Sequence, residues 1–239
     1  MKKILLYSGG VDSWFINQIW KPDVRLYVDL GTDYGKEEID LLKKAKENVE
    51  IISFDLSEFE LENKIIPLRN LYLIMLACNY SEDEDVEICL GATVGDRNFD
   101  KNLPFLYKTE ELLNYIYSPE DKAIYNKKIK INKYFKNKSK TDLLKIYLRN
   151  GGDINKAYNE TYGEFKENMS IWEKKKFYRK FVCFKLNGFN FSPKIEKEMF
   201  EYFKTNELEK TLSLNDERGH EKEEMLKVYY YLENKYNGD

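Results

Sequence analysis

Short apolar runs alternate along this chain with stretches whose apolar positions recur every three or four residues. Residues 3–7 (KILLY), 24–29 (VRLYVD), 49–54 (VEIISF) and 86–90 (VEICL) are short and nearly continuously apolar, the pattern of strands buried on both faces. Between them, residues 11–20 read as a helix stopped near Pro22. Residues 36–48 take their apolar positions from Ile39, Leu41, Leu42 and Ala45, and residues 65–80 read as a long apolar helix. Strand–helix alternation of this kind predicts a parallel sheet covered on both faces, the doubly wound α/β class. After about residue 107 the pattern changes. Residues 128–132 (KIKIN) read as a last strand and residues 141–149 as a helix ending at Gly151-Gly152, while 165–185, 195–204 and 217–234 are helical. The expected organisation is a mostly parallel five-stranded α/β domain over residues 1–160. A helical C-terminal region over 161–239 is expected to pack on it.

Composition narrows the class. Of 239 residues, 34% are charged and 42% apolar, with a net charge of −3; that balance argues against a protein that coats DNA. Cys78, Cys89 and Cys183 sit in apolar contexts without metal-ligand spacing, so buried thiols and no zinc site are expected. The opening MKKILLYS turns to Ser-Gly-Gly too soon for a signal peptide, and no apolar run approaches membrane-spanning length. A cytoplasmic protein with no membrane partner is expected. The one histidine, His220, stands in a charged segment, so histidine acid–base chemistry is not central to this reading.

The chemistry concentrates where the first strand turns into the first helix, at Ser-Gly-Gly-Val-Asp-Ser, residues 8–13. The spacing fits neither GxxxxGK[ST] nor GxGxxG. Glycines nevertheless let backbone N–H groups approach a ligand, and the helix start aims further N–H groups and a positive dipole end at the same spot. Ser8 and Ser13 add hydroxyl donors. In an open parallel sheet this loop falls at the carboxyl edge, where ligands sit.

SGGVDS resembles the PP-loop motif, SGGxDS, of the N-type ATP pyrophosphatase superfamily, an adenine nucleotide alpha hydrolase-like fold. Three later stretches resemble the branch of 7-cyano-7-deazaguanine synthases, enzymes of queuosine biosynthesis. In "PLRNLYLIMLACNY", residues 67–80, Pro67, Arg69 and Asn70 match a P-G-R-N segment, with Leu68 where that family has glycine. In "VEICLGATVGDRNFDKNLPF", residues 86–105, Gly91 and Asp96 fit a G-x-x-x-x-D loop, and Phe99-Asp100 stands loosely in place of a Y-P-D segment. In "KNKSKTDLLKIYLRNGGDI", residues 136–154, Lys140 occupies a lysine position at a helix start. The resemblance covers roughly residues 3–160. It departs clearly afterwards: the synthases carry four zinc-binding cysteines near the C-terminus, whereas residues 161–188 hold Cys183 alone. Phe165, Trp172, Phe177 and Phe181 offer an aromatic helix core in that region instead.

The resemblance implies an ATP-dependent carbon–nitrogen ligase. A carboxylate of a deazapurine-like substrate attacks the α-phosphate, pyrophosphate leaves, and ammonia displaces AMP to give an amide; a second round of ATP activation converts the amide to a nitrile. It implies that Ser8, Gly9, Gly10, Val11, Asp12 and Ser13 hold ATP and that Asp12 holds magnesium. Arg69 and Lys140 would neutralise phosphate charge, with Asp29 near the adenosine, and Asn70, Gly91, Asp96 and Asp100 would face the acceptor. Two other classes stay open. One is a PP-loop enzyme that modifies tRNA or another nucleic acid, to which the lysine-rich segment 122–145 with Tyr125, Tyr134 and Phe135 lends support, although a solvated basic face explains that segment more simply. The other is a diverged ATP-binding partner without catalysis. A small-molecule substrate is the expected partner, and the sequence leaves a homodimer open.

Overall fold

The computed structural model describes residues 1–44, 48–62, 65–81, 84–94, 99–117, 127–161, 165–166, 169, 171–207 and 219–237. The chain divides into two compact units, Met1–Asn137 and Lys138–Asp239. The division precedes the 160/161 line of the sequence reading, because the helix at 140–149 packs against the helix at 171–186 within the second unit.

The first unit is a doubly wound α/β fold. Strands β1 (Lys2–Leu6), β2 (Val24–Asp29), β3 (Glu50–Ser53), β4 (Val86–Cys89) and β5 (Ile129–Ile131) form one sheet in the order β3-β2-β1-β4-β5. Every neighbouring pair is parallel. The helices are α1 (Val11–Trp20), α2 (Asp33–Lys44), α3 (Arg69–Tyr80) and α4 (Leu103–Ile116). The central strands are apolar because both faces are covered. Ile4, Leu6, Leu26, Val28 and Ile88 pack in one buried cluster with Ile74 and Ala77 of α3 and Leu106 and Leu113 of α4. Burying each such side chain stabilises the fold by about 1.5–3 kcal/mol. Leu5, in contrast, is buried outside that cluster, as are Trp14 and Ile16 of α1.

Local chemistry sets where the elements end. Helix α1 stops where Lys21 turns left-handed, at φ 51°, ahead of Pro22. Helix α3 ends over a buried ammonium: Lys127 Nζ donates to the carbonyls of Cys78 and Ser81, a cation placed on the negative end of the helix. Helix α4 has no counterpart in the sequence reading. Its start is fixed by Asn102, whose Oδ1 accepts from Phe105 N at 2.8 Å, and by Pro104 in the first turn. From α4, Asn114 reaches the outer edge of β5. Its Nδ2 donates to Ile129 O at 2.7 Å, and its Oδ1 accepts from Ile129 N at 3.0 Å. Glu110 accepts from Ile131 N in the same way.

The second unit holds α5 (Lys140–Arg149), α6 (Ile154–Glu160), α7 (Ile171–Leu186), α8 (Pro193–Tyr202) and α9 (Gly219–Tyr236). A reciprocal capping box between Ser139 and Asp142 starts α5. The expected aromatic core is present: Phe165 meets Phe177, Phe177 meets Phe181, and Phe191 contacts both Phe177 and Phe181. Trp172 contributes a side chain outside the described residues. Glu196 of α8 is almost wholly buried at 1% exposure. Lys185 donates to it, Lys235 Nζ lies 2.6 Å away, and the Tyr236 hydroxyl donates at 3.0 Å. Burial alone would raise this carboxyl; the hydrogen bonds from Lys185, Lys235 and Tyr236 outweigh it and hold the group below the usual glutamate range. Among the described residues, no helix is long and apolar enough to cross a membrane.

Candidate functional site

The chain runs β1, β2, β3 to one side of the sheet and returns to β4 and β5 on the other. The reversal lies between β1 and β4, and open α/β sheets bind ligands outside the carboxyl ends of the strands at such a point. The glycine turn sits there. Gly9 adopts φ 71°, a left-handed conformation suited to glycine. Gly10 is the N-cap of α1 and is extended, at φ −66° and ψ 165°, with no side-chain cap. Its carbonyl receives the first helical bond, from Trp14 N at 2.9 Å. The N–H groups of Val11, Asp12 and Ser13 therefore precede the helical ladder and point out of the first turn. The Ser13 hydroxyl donates to Gly10 O at 3.1 Å and lies 3.4 Å from Ser8 Oγ. Asp12 sits in that same first turn.

A cavity of about 260 Å³ opens over this turn. Ser8, Gly10, Asp12 and Ser13 of the turn line it. Leu26, Val28, Leu30, Leu73 and Leu90 supply apolar wall, and Gly91 enters from the end of β4. Gly91, at φ 69°, stands where an added Cβ would lie 3.8 Å from Ser13 Cβ, so β4 delivers its glycine directly beside the loop. Arg69 and Asn70 come from the first turn of α3, and Lys101 from the short turn Phe99–Lys101. Asn70 is 2% exposed. Its backbone N–H donates to Asp100 Oδ2 at 3.4 Å, while its side-chain Nδ2 and the other oxygen of Asp100 have no hydrogen-bond partner among the described residues. A buried amide donor left over in a cavity wall costs about 1–3 kcal/mol unless a ligand accepts from it.

The fold thus brings Ser8, Gly10, Asp12, Ser13, Arg69, Asn70 and Gly91 around one cavity, with Gly9 and Val11 in the same turn and Asp100 against Asn70. Asp29 is elsewhere. Its Oδ1 accepts from Gly31 N at 3.0 Å and shapes the turn after β2, and it does not line the cavity. Lys140 opens α5 in the second unit. Asp96, Tyr125 and the side chain of His220 lie outside the described residues. Among the polar lining groups that escaped the sequence reading are Lys101, Thr32, Tyr27 and Glu38; the Tyr27 hydroxyl donates to Glu38 Oε2 at 3.1 Å. Lys101 had a local signal, its place beside Asp100; the Tyr27–Glu38 pair had none, because only folding joins them.

Leu68 links sequence and geometry. It precedes α3 at φ 59° and ψ 13°, the left-handed conformation that favours glycine. This is the position at which the P-G-R-N pattern has glycine. The side chain is exposed, so little packing holds it there. Leu68→Gly is expected to raise stability by up to about 1 kcal/mol, seen as a higher urea midpoint. An equal or lower midpoint would show that leucine carries no strain at this turn.

Among the described residues, no group of three or more His, Cys, Asp and Glu side chains could hold a metal ion. A single carboxylate beside bound phosphates is, however, the donor set magnesium ordinarily takes, and Asp12 fits it. Burial pushes the thiols of Cys78 and Cys89 up to about 12, far from the thiolate that nucleophilic sulfur chemistry needs. No protein-family model matches the chain, and no curated protein matches it.

Proposed function

We propose that the first unit binds ATP at residues 8–13 and adenylates a carboxylate of a deazapurine-like acceptor; ammonia then displaces AMP to give an amide, and a nitrile would follow only if a second ATP activates the amide oxygen to leave with AMP. One observation carries the reading: the SGGVDS turn lines the cavity at the point where the strand order reverses, with Arg69 and Lys101 lining the same cavity. Reactions of this kind need positioning and charge neutralisation more than an acid–base pair. The N–H groups at the start of α1 and the hydroxyls of Ser8 and Ser13 would hold the phosphates. Arg69 and Lys101 would balance charge as pyrophosphate leaves. Asp12 would hold magnesium, which when bound supplies charge neutralisation at the phosphates. The apolar wall of Leu26, Val28 and Leu73 suits a flat base, and Asn70 offers a hydrogen-bond donor to it. The Leu68 conformation supports the synthase branch. The raised Cys78 and Cys89 thiols weigh against a thiolase acting on tRNA.

Turnover with ATP, ammonia and 7-carboxy-7-deazaguanine is expected to release AMP and pyrophosphate, because attack falls on the α-phosphate and no Walker lysine serves the γ-phosphate. Chromatography of the nucleotide products decides it. ADP as the sole product would overturn the mechanism; AMP formed only with another carboxylate would keep the mechanism and replace the acceptor.

A further inference from the structure

The two edges of the sheet are treated differently. At β5, Asn114 and Glu110 take up the outward backbone groups of Ile129 and Ile131, and Lys130 adds a charge. Both are devices that keep an edge from pairing with another chain. At β3 no described side chain takes up the outward backbone groups, and the strand's one charge is Glu50 at its start. Phe54 N donates back to Asp29 O of the ladder at 2.8 Å, so Glu50, Ile52 and Phe54 turn their backbone groups toward β2 and, by alternation, Ile51 and Ser53 turn theirs outward. No described group bonds to those of Ile51 or Ser53. Ile51 is 39% exposed and Phe54 38%, and Phe59, just after the strand, is 60% exposed. Helix α3 flanks the edge, with Tyr72 against Phe54 at a ring separation of 6.1 Å and Met75, one turn further on, exposed.

We propose that β3 pairs antiparallel with β3 of a second copy of this chain, about a two-fold axis at Ile52, so that one sheet continues across both copies. The strand is self-complementary in this register. Ile51 lies opposite the partner's Ser53, so the two residues with outward groups exchange both N–H···O bonds. Glu50 faces the partner's Phe54, so no carboxylate of the strand meets its own image, the arrangement a two-fold contact requires. Strand pairing alone is short of the roughly 1,600 Å² of a standard interface. Ile51, Phe54, Phe59 and Met75 supply the additional apolar area. The inference is independent of the nucleotide reading.

Sedimentation of the full chain at about 50 µM is expected to give twice the 28.6 kDa chain mass. Ile51→Lys, which places a charge on the edge, is expected to return it to the single-chain mass with an unchanged circular dichroism spectrum. Ile52→Cys reads the register independently of that variant's folding. Opposed residues on the axis form a close non-hydrogen-bonded pair within disulfide reach, so mild oxidation should yield a covalent dimer. Lys130→Cys on the other edge should not. A single-chain mass for the unaltered protein, an Ile51→Lys chain that stays at the doubled mass, or cross-linking through position 130 rather than 52 would overturn the proposal.

Discussion

Gly10→Val is expected to abolish magnesium-dependent ATP binding while leaving the fold nearly intact. The backbone at Gly10 is extended rather than left-handed, at φ −66°, so a β-branched residue can adopt it without strain. The obstacle is space. An added Cβ would already lie 3.4 Å from Ser8 Oγ, and the two methyl groups of valine extend past it into the cradle the phosphates would use. Losing that approach removes several charge-assisted bonds to backbone N–H groups at once. A drop of at least about 100-fold in affinity, or about 3 kcal/mol, is the expected calorimetric result, with a melting temperature within a few degrees of the parent. Asp12→Ala should weaken binding chiefly when magnesium is present. Equal affinity in the parent and Gly10→Val would remove the nucleotide from this turn. Gly9 is a poorer test, because its φ of 71° would add backbone strain to any loss of binding.

The strands were legible because burial on both faces writes itself as continuous apolar sequence. Residues 24–29 match β2 residue for residue, and the other strands differ by a residue or so at either end. Helix starts were less legible. The helix expected from residue 65 begins at Arg69, because Pro67 and the left-handed Leu68 hold the chain out of the helix until then. Helix α4 was missed because Asn102 and Pro104, residue types common in loops, serve as its cap and first turn. Helix α6 is about two turns of mostly polar residues, too short for periodicity to register. In the site, the glycine turn announced itself, since its chemistry is contiguous in sequence. Asn70 was named only through the resemblance of Pro67, Arg69 and Asn70 to a P-G-R-N segment; its burial with an unused donor is visible only in the fold, because burial of a polar residue at a helix start cannot be read from its neighbours in the chain.

A second large effect is expected far from the nucleotide. Glu196→Ala should destabilise the chain by about 3 kcal/mol at pH 7. The substitution leaves Lys185, whose side chain is 13% exposed, without its carboxylate. Lys235 is half-exposed and can turn to water, which keeps the loss at the lower end of the range for broken buried pairs. The pH dependence gives the cause. Because the folded state holds the Glu196 carboxyl below its ordinary value, its contribution is fully present above the unfolded glutamate value near about 4.3. It is lost as pH falls through the lower folded value. Urea midpoints of parent and variant should therefore differ most at neutral pH and converge in strong acid. A gap of the same size at both ends would assign the effect to packing instead.

The side chains of Asn114 and Glu110 occupy β5 as a further strand would, offering it donor and acceptor in the places a neighbour's backbone would fill. The sheet therefore has a terminus built into it, and growth by edge addition can proceed from one side only. A structure with a single open end can be matched once by its own image and is then saturated. Stacking into fibres needs two ends that both accept. Asn114→Ala or Glu110→Ala would thus do more than weaken a helix–strand contact. Either would turn a chain-terminating unit into one able to propagate.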